Sequence, residues 1–266
     1  MHSQSWSALM SDPTGESLGI GLPPGSLIDH TQEGPWPQPA LWSADDIADS
    51  APWPQGLPSD LRPVLFQDGE EQGQWWKFAL DPVTASDPNG HDAATVLASL
   101  WADAVSESDD EDDEDDTLAP FDSEWPGLAP GRATDIDPDA RAAEVAADMF
   151  ALGLLPSPRL VLVPVSRSAD APAAIGWTGP AGYEPTVLRA VLRSWEDRFG
   201  ARLVALSADR MDLSVASPPR TTAEALAVAA EHFAFCPDNI WQGYDTMSAY
   251  AEEALIGKVH WTFWWD

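Results

Sequence analysis

Nine of the ten residues from Glu107 to Asp116 are acidic. Like charges at that density repel one another and bury nothing, so the run predicts a solvated loop. It lacks the Asp-x-Asp-x-Asp-Gly spacing of a calcium loop. The acidity is uneven over the 266 residues. The chain carries 44 acids, 13 bases and a formal net charge of −31. Residues 1–155 hold 31 acids and four bases, a net of −27, and residues 156–266 hold 13 acids and nine bases, a net of −4. Such a surface repels nucleic-acid phosphates and anionic lipids, which excludes both as direct partners. No apolar stretch is long enough to span a bilayer. Met1–Glu16 lacks the basic and apolar regions of a secretory signal, so a cytoplasmic setting is expected. Cys236 is the single cysteine, which excludes an internal disulfide and a multi-cysteine zinc site. Hydrophobic residues make up 44% of the chain, enough for a sizeable core.

The punctuation of the chain predicts three regions. Residues 1–60 are rich in Pro, Gly and Trp and show no sustained period, so they read as an arm whose tryptophans dock on the body. Residues 61–155 form an acidic region. Pro63–Phe66 and Trp75–Leu80 read as strands there, Asp92–Val105 as a helix, residues 106–135 as a disordered loop, and Asp137-Pro138 as a helix start. Residues 156–266 form the most legible part. Arg159–Val165 reads as a buried strand, although Pro164 would cost a ladder bond in a central one. Glu184–Phe199 reads as an amphipathic helix closed by Gly200. Arg202–Leu206 and Met211–Val215 read as strands, the second with Asp212 and Ser214 on its polar side. Thr221 and Glu224 form a capping box, Asp245 reads as the cap of a short helix, and His260–Trp265 reads as an aromatic strand. Ala173–Trp177 is an alternative strand. The fold class expected is α+β: a split β-α-β-β-α-β-like antiparallel sheet with helices on one face, preceded by an irregular acidic α/β region.

Four runs carry a resemblance. They are Leu160–Val165, Gly176-Trp177-Thr178-Gly179, Trp195–Gly200 and Glu231–Asp238, with the aromatic tail Trp261–Asp266. Together they resemble a bacterial family, well represented in actinobacteria, known as domain of unknown function 4253, over roughly residues 156–266. Where that family has an Asn after its Gly-Trp-x-Gly turn, this chain has Pro180-Ala181-Gly182. The resemblance implies a domain boundary and a bacterial cytoplasmic setting. It implies no reaction.

The sharpest chemical constellation is His232, Cys236 and Asp238. His232 and Cys236 are four residues apart and share a face of a helix that continues to Cys236. A histidine beside a thiol can take its proton, and an aspartate can orient the imidazole. A metal site from His232, Cys236 and His260 would lack a fourth ligand at any diagnostic spacing, so neither metal nor cofactor is expected. For ligand or partner binding the candidates are Trp177 in its glycine-rich loop, Arg189 and Arg193 on one helix face with Arg198 further along the helix, and Trp261, Trp264 and Trp265. The bland reading pairs Arg193 with Asp197. The sharper one docks the arginines on an acidic partner, or on the chain's own Glu107–Asp116. On a strand Trp261, Phe263 and Trp265 share one side and Trp264 takes the other, so both faces need cover.

Three functions follow as expectations. The first is a non-catalytic protein-interaction module, immunity-type or regulatory, with a protein partner. The second is a thiol-dependent hydrolase or transferase using Cys236 and His232. The third is an acidic mimic of nucleic acid that binds a basic protein.

Overall fold

Leu160 to Val163 is apolar at every position and flanked by prolines, the pattern of a strand covered on both faces. It forms an inner strand of the sheet. The structure, a computed structural model, describes residues 3–32, 34–48, 53–67, 75–80, 92–107, 117–121 and 123–266. Its strands are β1 (Gly25–Ile28), β2 (His30–Thr31), β3 (Gly34–Pro35), β4 (Leu41–Ala44), β5 (Arg62–Gln67), β6 (Pro158–Val163), β7 (Ala201–Leu206), β8 (Arg210–Val215) and β9 (His260–Trp264). Seven of them make one sheet in the order β1-β4-β6-β5-β7-β8-β9, while β2 and β3 pair separately. Only β5 and β7 run parallel, with Leu65 beside Ala205; the other neighbours in that sheet are antiparallel. Pro164 lies just beyond β6, so no ladder bond is lost to it.

Side-chain alternation sends the strands' apolar residues to two cores. Val64, Phe66, Val161, Val163 and Leu203 face one, and Leu65, Leu160, Leu162 and Val204 face the other. Over the second core lie α1 (Gln4–Ser11), through Trp6 and Leu9, and α4 (Pro138–Ala151), through Val145 and Met149. Here α2 is Trp76–Ala79 and α3 is Ala93–Glu107. Over the first core lie α3, α5 (Ala171–Ile175), α6 (Pro185–Phe199) and α7 (Thr222–Phe235). The short α8 (Asp238–Trp241) and α9 (Met247–Tyr250), which runs on into a wider turn over Ala251–Leu255, follow α7 toward β9.

Local chemistry explains the boundaries. Asp137 caps α4 by accepting from the N–H of Asp139 at 3.0 Å. Thr221 and Glu224 form the reciprocal capping box of α7. Gly200 closes α6 at φ 62°, where an added Cβ would meet the Ala216 methyl at 2.9 Å. In β1, Gly25 lets the Trp42 ring of β4 lie against the backbone, since a Cβ there would come 2.1 Å from the indole.

The α+β class holds, with a large mixed sheet. Two details of the expected C-terminal sheet differ: β5 separates β6 from β7 and brings a parallel pair, and helices cover both faces. Residues 1–60, expected to be an arm, supply α1 and two strands of the sheet. Trp6 and Trp42 are fully buried there, so the tryptophans act as core. Trp75–Leu80 contains one turn of helix and no strand. Trp75, Trp76 and Leu80 are all buried, and tertiary burial overrides the strand preference of aromatic residues. Ala171–Ile175 is likewise helical, so the alternative strand at Ala173–Trp177 does not form. Thr246 caps α9, because Asp245 sits in the left-handed region at φ 65°. Of the expected 106–135 loop, residues 108–116 and Asp122 lie outside the described residues. The part from Thr117 onward that is described is anchored: Leu118 and Ala129 are buried, and the Trp101 indole donates to the Ser123 carbonyl at 2.8 Å.

Candidate functional site

The expected catalytic residues meet at the free edge of the sheet. β9 pairs with β8 on one side only. Val259, Trp261, Phe263 and Trp265 direct their backbone groups toward β8, as the bonds Val215 N–H to Val259 and Trp265 N–H to Asp209 show. Alternation then turns the backbone groups of His260, Thr262 and Trp264 outward, where an exposed edge invites pairing with another chain. Cys236-Pro237-Asp238-Asn239 covers them. Asn239 Nδ2 donates to the Thr262 carbonyl at 2.7 Å, and its Oδ1 accepts from the Trp264 N–H at 3.3 Å. The Cys236 thiol donates to the Trp264 carbonyl at 3.0 Å. Asp238 Oδ2 accepts from the N–H of Asp266 at 3.2 Å. The carboxamide thus imitates a neighbouring strand.

His232 stands behind this clamp, fully buried. Its Nδ1 lies 2.8 Å from the Tyr250 hydroxyl, which also accepts from Asn239 Nδ2 at 3.2 Å. The imidazole lies among the rings of Trp195, Trp261 and Phe263 at 5.0, 4.6 and 4.7 Å. Burial holds the His232 pKa well below its ordinary value, and the charge of Arg198 adds to that. Burial pushes the Cys236 thiol up to about 12; hydrogen bonds with Asn239 and Trp264 offset it only in part, and Asp238 raises it further. The structure therefore gathers the three residues on one clamp without joining them as a relay. His232 bonds Tyr250, Cys236 bonds a backbone carbonyl, and Asp238 bonds the terminus and Gln242.

A second polar cluster lies in the β8–β9 ladder, around Asp212, which is completely buried. Oδ1 of Asp212 meets His260 Nε2 at 2.9 Å and the Thr262 hydroxyl at 2.8 Å, and Arg210 donates to both carboxylate oxygens. Gln67 of β5 donates to Oδ2 at 3.1 Å. Burial alone would raise the Asp212 pKa, but hydrogen bonds from His260 and Arg210 and their charges hold it below the usual carboxylate range. A cleft of about 270 Å³ opens beside the clamp, with Tyr244, Glu253, Lys258, His260 and Trp264 on its walls.

The other sequence candidates separate. Trp177 is buried, donating its indole N–H to the Ser207 carbonyl at 2.9 Å and packing on Trp265. Trp261 and Trp265 are core, and Trp264 is half-buried on the opposite side. Arg193 binds Asp170 with two bonds of 2.6 and 2.7 Å, and Arg189 lies 3.4 Å from the same carboxylate. Asp197 belongs to Arg167, so the expected Arg193–Asp197 pair does not form. Asp170 comes from the turn before α5, which no helix spacing reveals.

Sequence reasoning missed Asn239, Tyr250, Asp212 and Glu231, the partner of Arg198. Glu231 is buried, takes a bidentate contact from Arg198 at 2.6 Å, and accepts from the Trp195 indole and the Ala129 N–H. Strand alternation pointed to a solvated Asp212, and only the register against β9 reveals its partners.

Among the described residues no group of three or more His, Cys, Asp or Glu is placed to hold a metal ion. No described helix is long and apolar enough to cross a membrane. No curated protein and no solved structure matches the chain. The edge clamp, the Asp212 cluster and β6 to β9 fall almost wholly within residues 159–266, the segment that matches the family described as Domain of unknown function (DUF4253).

Proposed function

We propose that this chain is a non-catalytic protein-interaction module whose partner is a basic protein. The observation that carries the reading is where the charges go. Nine of the 11 arginines are in ion pairs with the chain's own carboxylates. The bases are thus spent internally, and the acid excess stays outside. Asp135, Asp137 and Asp148 are exposed along and before α4, with Leu152 at its end 73% exposed. Acidic residues around an apolar anchor suit a basic partner, by steering and by contact. The clamp supports the same reading, because the thiol that would serve a thiol enzyme is bonded to β9 and the imidazole to Tyr250. An immunity-type or regulatory role in a bacterial cytoplasm fits such a module.

The test is crosslinking of the native protein in its source lysate, followed by binding to the purified partner from about 0.05 to about 0.5 M salt. A basic partner whose affinity falls by about tenfold or more across that range supports the reading. A salt-independent complex, or a protein that stays monomeric and unlinked, contradicts it.

A further inference from the structure

The parallel pairing of β5 with β7 brings Arg62 and Arg202 to the same end of the two strands, upstream of Leu65 and Ala205. Both side chains are mostly buried. Each is pinned from behind by backbone: Arg62 donates from Nε and Nη2 to the Ser166 carbonyl, and Arg202 from Nη1 to the Ala201 carbonyl. Glu196 lies 3.8 Å from Arg202 Nη1, while Arg62 Nη1 and Arg202 Nε converge on one carboxylate, Asp139, at 2.8 and 2.6 Å. That carboxylate comes from the first turn of α4 and is about half exposed, unlike the guanidinia it joins. A cavity of about 330 Å³ adjoins the three, within the size range of small-molecule sites. Trp53, Leu57, Pro58 and Ala143 give it an apolar wall, and Ser59 a hydroxyl.

We propose that the Arg62–Arg202 pair is a carboxylate-binding site, with Asp139 holding the anion position in the free protein and the cavity taking the compact apolar body of a monocarboxylic acid. A planar guanidinium pair pinned in place matches a carboxylate by two-pronged hydrogen bonding. The cluster is poised for exchange, because an exposed aspartate on a helix end can swing outward while the arginines stay fixed. Asp137 also lines the cavity, its Oδ1 engaged by the Asp139 N–H. Its charge restricts the ligand to a single negative charge. The inference does not depend on the basic-partner reading, which concerns the outer surface. The carboxylate has two sources, a free small acid or the C-terminus of a peptide ending in an apolar residue.

The experiment is titration of the full chain, by NMR and calorimetry, with phenylacetate, neutral phenylacetamide, and the tripeptide Gly-Gly-Phe with a free or an amidated terminus. The expected result is binding of phenylacetate or of the free-ended peptide, and of neither neutral analogue. Phenylacetate alone identifies a free acid, and the peptide alone a chain terminus. Asp139→Asn, which removes the competing anion, is expected to tighten binding about tenfold. Arg62→Gln and Arg202→Gln should each weaken it by at least about tenfold. Trp53→Leu leaves the ion cluster intact and should weaken it several-fold, which keeps the test open if an arginine variant fails to fold. No saturable binding to wild type or to Asp139→Asn overturns the proposal. So does binding that the amides share, or that folded arginine and Trp53→Leu variants leave unchanged.

Discussion

At the scale of single residues, His232 links the fold to pH. Its imidazole is neutral and buried in the folded chain, whereas an unfolded histidine titrates near 6.5. Below that pH the unfolded chain binds a proton that the folded one refuses. Stability from this residue is therefore full above about pH 6.5 and falls as pH drops through the window below. Asp212 acts in a lower window: its carboxyl is depressed when folded, so its contribution is present above about pH 3.9 and lost only as pH falls through the folded value. Urea unfolding of wild type and His232→Gln between about pH 7.5 and 5 separates the two. The stability gap between them should narrow by up to about 1.4 kcal/mol per pH unit below 6.5. A constant gap contradicts the buried neutral imidazole. His232 and Cys236 were legible in the sequence as candidates, but their roles were not, and Asp212 was not legible as a site at all. Spacing of four on a helix places His232 and Cys236 on one face; it does not say that Tyr250 and a backbone carbonyl reach them first.

At the scale of elements, β9 depends on its clamp. Asn239→Ala removes two bonds to the strand's edge and leaves the Thr262 carbonyl and Trp264 N–H without a protein partner. A loss of about 1–3 kcal/mol is expected, with faster hydrogen exchange at Trp264 than at core amides of β7. Unchanged exchange would mean that the edge holds itself. Asp212→Ala should cost about 2 kcal/mol, less than a wholly buried ion pair, because Arg210 and His260 keep some access to water. Chemical denaturation checks that figure. Elements whose ends are written in local chemistry were legible: α4 from Asp137-Pro138, α7 from Thr221 and Glu224, α6 from its stripe and Gly200. Those decided by distant packing were not. Trp75–Leu80 has the composition of a strand and coils instead because Trp75, Trp76 and Leu80 are all drawn into the core.

At the scale of the whole molecule, the sheet interleaves the chain. β5, from residues 62–67, lies between β6 and β7, and Gln67 reaches across to Asp212. A protein cut to residues 156–266 would lose β5 and leave β6 and β7 with unpaired edges. It should give collapsed near-ultraviolet dichroism and poor NMR dispersion, and a well-folded fragment would contradict the interleaved core. Connectivity of this kind has no local signal, since β5 and β7 are more than a hundred residues apart. Cys236 holds the last strand and His232 is bonded to Tyr250, so neither is free for thiol chemistry. The rate of Cys236 alkylation against pH, in native and unfolded protein with His232→Ala as control, tests it most directly. A native thiol that stays silent through about pH 9 and labels only on unfolding is expected. Rapid native labelling with an apparent pKa below about 8.5, lost in His232→Ala, would contradict it.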